Sequence, residues 1–173
     1  MDATAPLGCG ILVMEKGYAL CGLTPKLGKF SGIGGKPEPG ESILRTAFRE
    51  ATEELYGITP SNDLLIDLMR AFSINKVLER NRYYYVLLSF IDVVSLNAMV
   101  HMHHPTSPYY NTPPSSVLDL VMNRYPTEDA EITELSLKRY GIGLISLDTE
   151  FIKDCLKAES YLNRDGQAAN YME

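Results

Sequence analysis

Residues 35–58 read GKPEPGESILRTAFREATEELYGI, a glycine-rich turn running into a helix with Arg49, Glu50, Glu53 and Glu54 near its end. Glu50, Glu53 and Glu54 stand at i, i+3 and i+4, so on an α-helix their carboxylates leave one face within reach of a common ion. Like charges that close repel unless a cation joins them. Oxygen-only ligands suit Mg²⁺ or Mn²⁺, which keep coordination sites for water and for phosphate oxygens. Many Glu-rich helices are instead solvated faces with ion pairs to Lys or Arg. This helix carries only Arg45 and Arg49 for that purpose, while Ile43, Leu44, Ala47, Phe48, Ala51 and Leu55 form an apolar stripe that would bury it. Spacing alone leaves both readings open, a metal site and a solvated acidic face.

The pattern Gly35, Glu41, Arg49-Glu50, Ala51, Glu53-Glu54, Gly57-Ile58 resembles the box of the Nudix hydrolases, position by position. It departs at one point. Two residues, Leu55 and Tyr56, separate Glu54 from the glycine where that family usually has one. The extra residue falls after the last acidic position, where Gly57 would serve as a left-handed cap, so it lengthens the final turn without moving the carboxylates.

The chain has 173 residues, 45% of them apolar, enough for one hydrophobic core, and is expected to form a single domain over 1–173. A net charge of −6 argues against a protein built to coat nucleic acid, although Arg70, Lys76, Arg80 and Arg82 could line a local basic groove. Cys9, Cys21 and Cys155 are odd in number and lack paired spacing, which speaks against a disulfide framework or zinc site and for a reducing compartment. The N-terminal stretch has no basic region followed by an apolar one, and no segment reaches the ~18 apolar residues a membrane span requires. The expectation is a soluble, cytoplasmic protein without a membrane partner.

Residues 10–21 read as two short strands about a turn at Glu15-Lys16-Gly17. A second pair is expected over 68–78 and 83–93 about the polar turn 79–82, its second member too apolar to be half exposed and so central in the sheet. Residues 141–147 read as a further strand, and 149–162 as an amphipathic helix burying Phe151, Ile152, Cys155 and Leu162. The expected architecture is an α/β/α sandwich with a mixed sheet, the order that the Nudix resemblance implies over roughly 8–93 and 141–162. Residues 94–140 read as a long insertion, a lid, a partner surface or else a disordered segment, with a short helix starting at Ser115-Ser116. It holds His101, His103 and His104, for which an irregular solvated segment is the default and Zn²⁺ or phosphate binding the alternative. Self-association into a homodimer through this segment is a further expectation.

The resemblance implies attack of water on a phosphorus of a nucleoside diphosphate linked to another group. It places the Mg²⁺ ligands at Glu50, Glu53, Glu54 and the Gly35 carbonyl, with Arg49 orienting a carboxylate and Glu41 in a structural role. Glu53, Glu54 or an acid near Glu128, Asp129, Glu131 and Glu134 could be the general base, and the sequence does not choose. The stretch 30–36, FSGIGGK, and the stretch 153–161, KDCLKAESY, are similar to segments of the MutT-type oxidised-purine triphosphatases. At the base-reading positions of that group this chain has Ser31, Leu156, Ala158 and Glu159. Hydrolysis of a nucleoside triphosphate to monophosphate and pyrophosphate is therefore expected without the oxidised base. Phe30, Ser31, Lys36, Phe72, Tyr85 and Glu159 are the substrate-binding candidates. Dinucleoside polyphosphates, nucleotide sugars and capped RNA are alternative substrates, and a nucleotide-sensing module without catalysis is an alternative class.

Overall fold

The apolar run Gly8–Glu15 forms β1, and its two faces enter different cores. Cys9, Ile11 and Val13 point into one, Leu12 and Met14 into the other, as the two-residue period of a strand dictates. A strand buried on both faces needs helices above and below, and the protein is a three-layer α/β/α structure around a mixed sheet. The computed structural model describes residues 4–141 and 146–170.

One edge of β1 pairs in parallel with β6 (Tyr83–Leu88), from Gly8 opposite Tyr83 to Val13 opposite Leu88. The other edge divides between two strands. Cys9 to Ile11 pair antiparallel with β4 (Ile33–Gly35), and Met14 and Glu15 with β2 (Tyr18–Thr24). Lys16 and Gly17 turn the chain there with positive φ of 51° and 84°, at the turn expected from sequence. Strand β3 (Lys29–Ser31) pairs with β2, and β5 (Val77–Arg80) with β6. The stretch read as a glycine turn thus becomes an edge strand, β4, that carries Gly34 and Gly35 to the rim of the sheet.

Helix α1 (Ile43–Tyr56) lies over β1 and β4 with its expected stripe inward: Ala47, Phe48, Ala51 and Leu55 are fully buried. Ser42 caps its start by accepting from the Arg45 amide, and Gly57 ends it in the left-handed conformation, its N–H donating to the Glu53 carbonyl. Two helices were not expected. The segment expected as a strand from 68 opens as α2 (Asn62–Ala71), started by the Ser61 cap. The strand expected through 93 stops at Leu88, because Ser89 and Asp92 form a reciprocal capping box that starts α3 (Phe90–His103). An apolar run suits a buried helix as well as a strand, and here a two-residue polar signal decides between them.

The segment 94–140 is correspondingly no loose insertion. It completes α3, forms α4 (Val117–Met122) from the expected serine cap, and ends in β7 (Glu134–Arg139), which pairs antiparallel with β2 along its whole length. Of the strand expected over 141–147, residues 142–145 lie outside the described residues; Leu147 bridges Phe30 in parallel. Helix α5 (Thr149–Asn170) covers the second face, burying Phe151, Cys155 and Ala158, whereas Leu162, expected inside, is 39% exposed. The three cysteines are buried and free, and burial pushes the Cys21 thiol up to about 12. Among the described residues no helix is long and apolar enough to cross a membrane.

Candidate active site

Helix α1 brings Glu50, Glu53 and Glu54 to one wall of a cavity of about 630 Å³ whose floor is Gly35 and Lys36 at the end of β4. The opposite wall is the segment before β7, with Asp129 and Glu131, and Tyr109 closes one side. Glu38 completes a set of six carboxylates against the ammonium of Lys36 and the guanidinium of Arg49. Of the four acids in the expected loop group, Asp129 and Glu131 reach the cavity, while Glu134 stands in β7 opposite Leu23.

Arg49 organises the helix side. Its Nε and Nη2 grip Glu41 at 2.8 and 3.0 Å, Nη1 donates to Glu50 at 2.7 Å and to Glu53 at 3.3 Å, and Nη2 also reaches the Lys36 carbonyl at 3.0 Å. Glu41 further accepts from the Thr46 hydroxyl and the Glu38 amide. The fork on Glu41 holds that carboxyl down at about 2, so it stays ionised throughout ordinary conditions. Glu41 is thus a structural anchor at the helix start, and Arg49 both holds it and steers Glu50.

The cavity carboxylates shift the other way. Burial raises Glu50 in spite of Arg49. Glu54 accepts from the Gly34 amide at 2.9 Å, yet burial first, and repulsion from Glu50 second, push it up to about 8. A group of acids that resist joint ionisation is short of positive charge. Among the described residues no three His, Cys, Asp or Glu side chains converge closely enough to hold a metal ion. Arg49 draws Glu50 and Glu53 toward itself while Gly34 holds Glu54, and mutual repulsion favours that spread. The donor chemistry nonetheless fits a hard divalent cation, since every group offered is an oxygen. Gly35 supports the fit: a Cβ there would lie 2.4 Å from the Glu50 carboxylate, so glycine makes the cradle in which that carboxylate rests.

A Gly35→Ala variant tests this cradle. The atoms in the way belong to the flexible end of Glu50, so the fold should persist with a melting temperature within about 4 °C of the parent, a cost of ~1 kcal/mol. The displaced Glu50 should raise the divalent-ion concentration for half-maximal response by about 10-fold, as loss of ligand placement does. An unchanged response would remove Glu50 from the site.

Gly35 and Lys36 also border a second cavity, of about 440 Å³. Ser31, Tyr85, Tyr83, Leu7, Phe151 and Asn81 line it, with Asp148, Glu150 and Asp154 from the start of α5. Arg80 crosses its wall, donating to Asp154 and, at 2.7 Å, to Glu150, and the Tyr85 hydroxyl bonds Asp154 as well. Of the residues expected to line a basic groove, Arg80 is held by these acids and Arg82 Nε donates to the Ala5 carbonyl.

Of the expected substrate residues, Ser31, Lys36 and Tyr85 line this chamber. The others are elsewhere. Phe72 caps α2, is 3% exposed and stacks on Phe48 at 5.3 Å, so it belongs to the core and not to a strand facing substrate. Phe30 is buried against α5, with the Lys138 ammonium 4.4 Å above its ring. Glu159 lies beside the Tyr140 hydroxyl, on the helix expected over 149–162, and lines neither cavity. Nor do the histidines gather: His103 pairs with Asp67 at 2.8 Å, His104 Nε2 accepts from the Ser61 amide, and His101 is exposed. Asp148, Glu150 and Asp154, and the pairing of Arg80 with the last two, were missed for want of any local motif, since Arg80 reaches α5 from 70 residues away in sequence.

Comparison with known proteins adds little beyond the geometry. No family model matches the sequence, and no curated protein matches it. One solved structure similar to this chain is a hydrolase of the NUDIX family from Clostridium perfringens, at 13% identity and a TM-score of 0.44, covering 91% of this chain and 98% of that one.

Proposed function

We propose that this protein is a Nudix-type hydrolase that cleaves a phosphoanhydride bond in a nucleoside diphosphate-linked substrate, with a nucleoside triphosphate as the preferred form and Mg²⁺ or Mn²⁺ as cofactor. The observation that carries the reading is the cavity lined by Glu50, Glu53, Glu54 and Glu131 beside the Gly35 cradle, where six carboxylates face two basic side chains, Lys36 and Arg49. Glu50, Glu53, Glu54, Glu131 and the Gly35 carbonyl are the groups that would hold the ion. Bound there, a divalent ion neutralises phosphate charge and lowers the pKa of water.

The protein's own residues supply the rest. Lys36, shared by both cavities, meets the phosphate chain where it passes from one to the other. The chamber beyond it takes the nucleoside, with Tyr85, Tyr83 and Phe151 as apolar walls and Ser31 and Asn81 as polar groups. Water attacks phosphorus, the bridging P–O bond breaks, and the water proton passes to a carboxylate. Glu53, Glu54, Asp129 and Glu131 line the cavity and are the carboxylates among which that base is found. The products are a nucleoside monophosphate and pyrophosphate.

The test is incubation with Mg²⁺ and a panel of nucleoside triphosphates, oxidised purine triphosphates, dinucleoside polyphosphates, nucleotide sugars and capped RNA in ¹⁸O-water. Consumption of a triphosphate with one ¹⁸O in the monophosphate or the pyrophosphate supports the reading and names the phosphorus attacked. Consumption of capped RNA with a steep salt dependence replaces the substrate. No turnover of any member, with a nucleotide still raising the melting temperature, replaces hydrolysis with sensing.

A further inference from the structure

Arg124 lies between α4 and β7, in the segment that the sequence marks only as an insertion, and it touches neither chamber nor acidic cavity. Its guanidinium nevertheless reaches both walls of the acidic cavity from behind. Nη2 donates to the Glu54 carbonyl at 2.7 Å and Nε to the Leu55 carbonyl at 3.3 Å, while Nη1 donates to the Ile132 carbonyl at 2.9 Å. The guanidinium also sits 4.8 Å from the ring centre of Tyr109, which closes the cavity. The last carbonyls of a helix have no partner within it. Here those of α1 are taken by this segment, since Ser107 Oγ donates to the Tyr56 carbonyl at 2.5 Å and Tyr109 packs against Gly57.

We propose that Arg124 is a positioning residue for the acidic site, a clamp that sets Glu131 and Tyr109 against Glu54 at the end of α1. The inference rests on the hydrolase reading given above. Glu54 contributes its side chain to the cavity and its carbonyl to Arg124, and Glu131 is the direct neighbour of Ile132. Three carbonyls in different directions and an aromatic face need the flat five-donor fork of arginine; the point charge of lysine satisfies one of them. The two-residue interval Leu55-Tyr56 before Gly57 has a role in this arrangement, since the Leu55 carbonyl accepts from Arg124 and the Tyr56 carbonyl from Ser107 of the same segment.

The test compares Arg124→Lys with the parent, each alone and combined with Glu131→Gln. Arg124→Lys should lower kcat by roughly 10- to 100-fold with KM for the nucleotide within about threefold, because the nucleoside chamber is untouched and catalytic groups misplaced by an ångström lose on that order. In the Glu131→Gln background the same change should cost less than about threefold, since the group it places is already disabled. An equal loss in both backgrounds overturns the inference and leaves Arg124 a general staple. Amide hydrogen exchange reads placement without reference to catalysis. Amides 129–133 should exchange at least about 10-fold faster in Arg124→Lys while those of 46–50 keep their protection; unchanged exchange at 129–133 overturns the inference. A parent protein that hydrolyses nothing in the panel counts against the hydrolase reading alone, because exchange still decides whether Arg124 holds the segment.

Discussion

Glu54→Gln is expected to lower turnover by at least about 100-fold and, in the absence of divalent ions, to make the protein more stable at alkaline pH. The amide keeps the acceptor for the Gly34 N–H, so the β4–α1 contact survives, while the charge that burial and Glu50 oppose is gone. The sign follows from linkage. Glu54 has a folded value of about 8 against an ordinary 4.5, so between those limits the folded state binds more protons than the unfolded one. Its contribution to stability is therefore fully present below about 4.5 and is lost as pH rises through about 8. At pH 8.5 without divalent ions the variant should melt about 2–8 °C above the parent, a discounted gain of ~1–2 kcal/mol. Adding Mg²⁺ should raise the parent's melting temperature and leave the variant's nearly unmoved. Two parallel melting curves from pH 5 to 9, with equal Mg²⁺ response, would show that Glu54 bears no such load.

Arg49→Met should have the largest effect on stability. Glu41 and Glu50, whose side chains are 8% and 13% exposed, lose their counter-charge together, and the Lys36 carbonyl loses a donor. Breaking a buried ion pair from one side costs about 3–5 kcal/mol, because the remaining charge stays desolvated. For a chain of this length that is a fall of roughly 6–20 °C in melting temperature. Removing the stranded charge as well, in Arg49→Met with Glu41→Gln, should restore part of the loss, and that recovery separates desolvation from lost packing. Arg49→Lys should fall between, since it keeps the charge and not the fork. A single-variant loss under about 1 kcal/mol, the worth of an exposed pair, would mean that Arg49 serves the cavity and not the fold.

The residues of the candidate site on α1 are legible in the sequence for a local reason. Arg49, Glu50, Glu53 and Glu54 lie within six consecutive positions of one helix, and Glu41 and Gly35 lie a short turn before it. Local periodicity places such groups on a common face. Glu131, Asp154 and Arg80 also line the two cavities and Arg124 stands behind one of them, and no periodicity connects them, because their partners are tens of residues away.

The same division holds for the elements. Helix α1, its serine and glycine caps, the turn at Lys16-Gly17, the serine start of α4 and the inward face of α5 at Phe151 and Cys155 were all set by short-range pattern. Strands β4 and β7 were not, since a strand of three glycine-flanked residues and one in a polar segment form only because β1 and β2 offer them unpaired edges. Phe72 and Phe30 are aromatic and apolar wherever they stand, and only the packing of α2 on Phe48 and of α5 on β3 puts them in the core and away from both cavities. The sequence by itself determined that three carboxylates leave one side of α1 together, because groups at i, i+3 and i+4 share a face in any α-helix. The tertiary structure alone decided which carboxylates oppose that helix, which chamber adjoins it and which arginine holds its end, because those contacts join residues that only the folded sheet brings together.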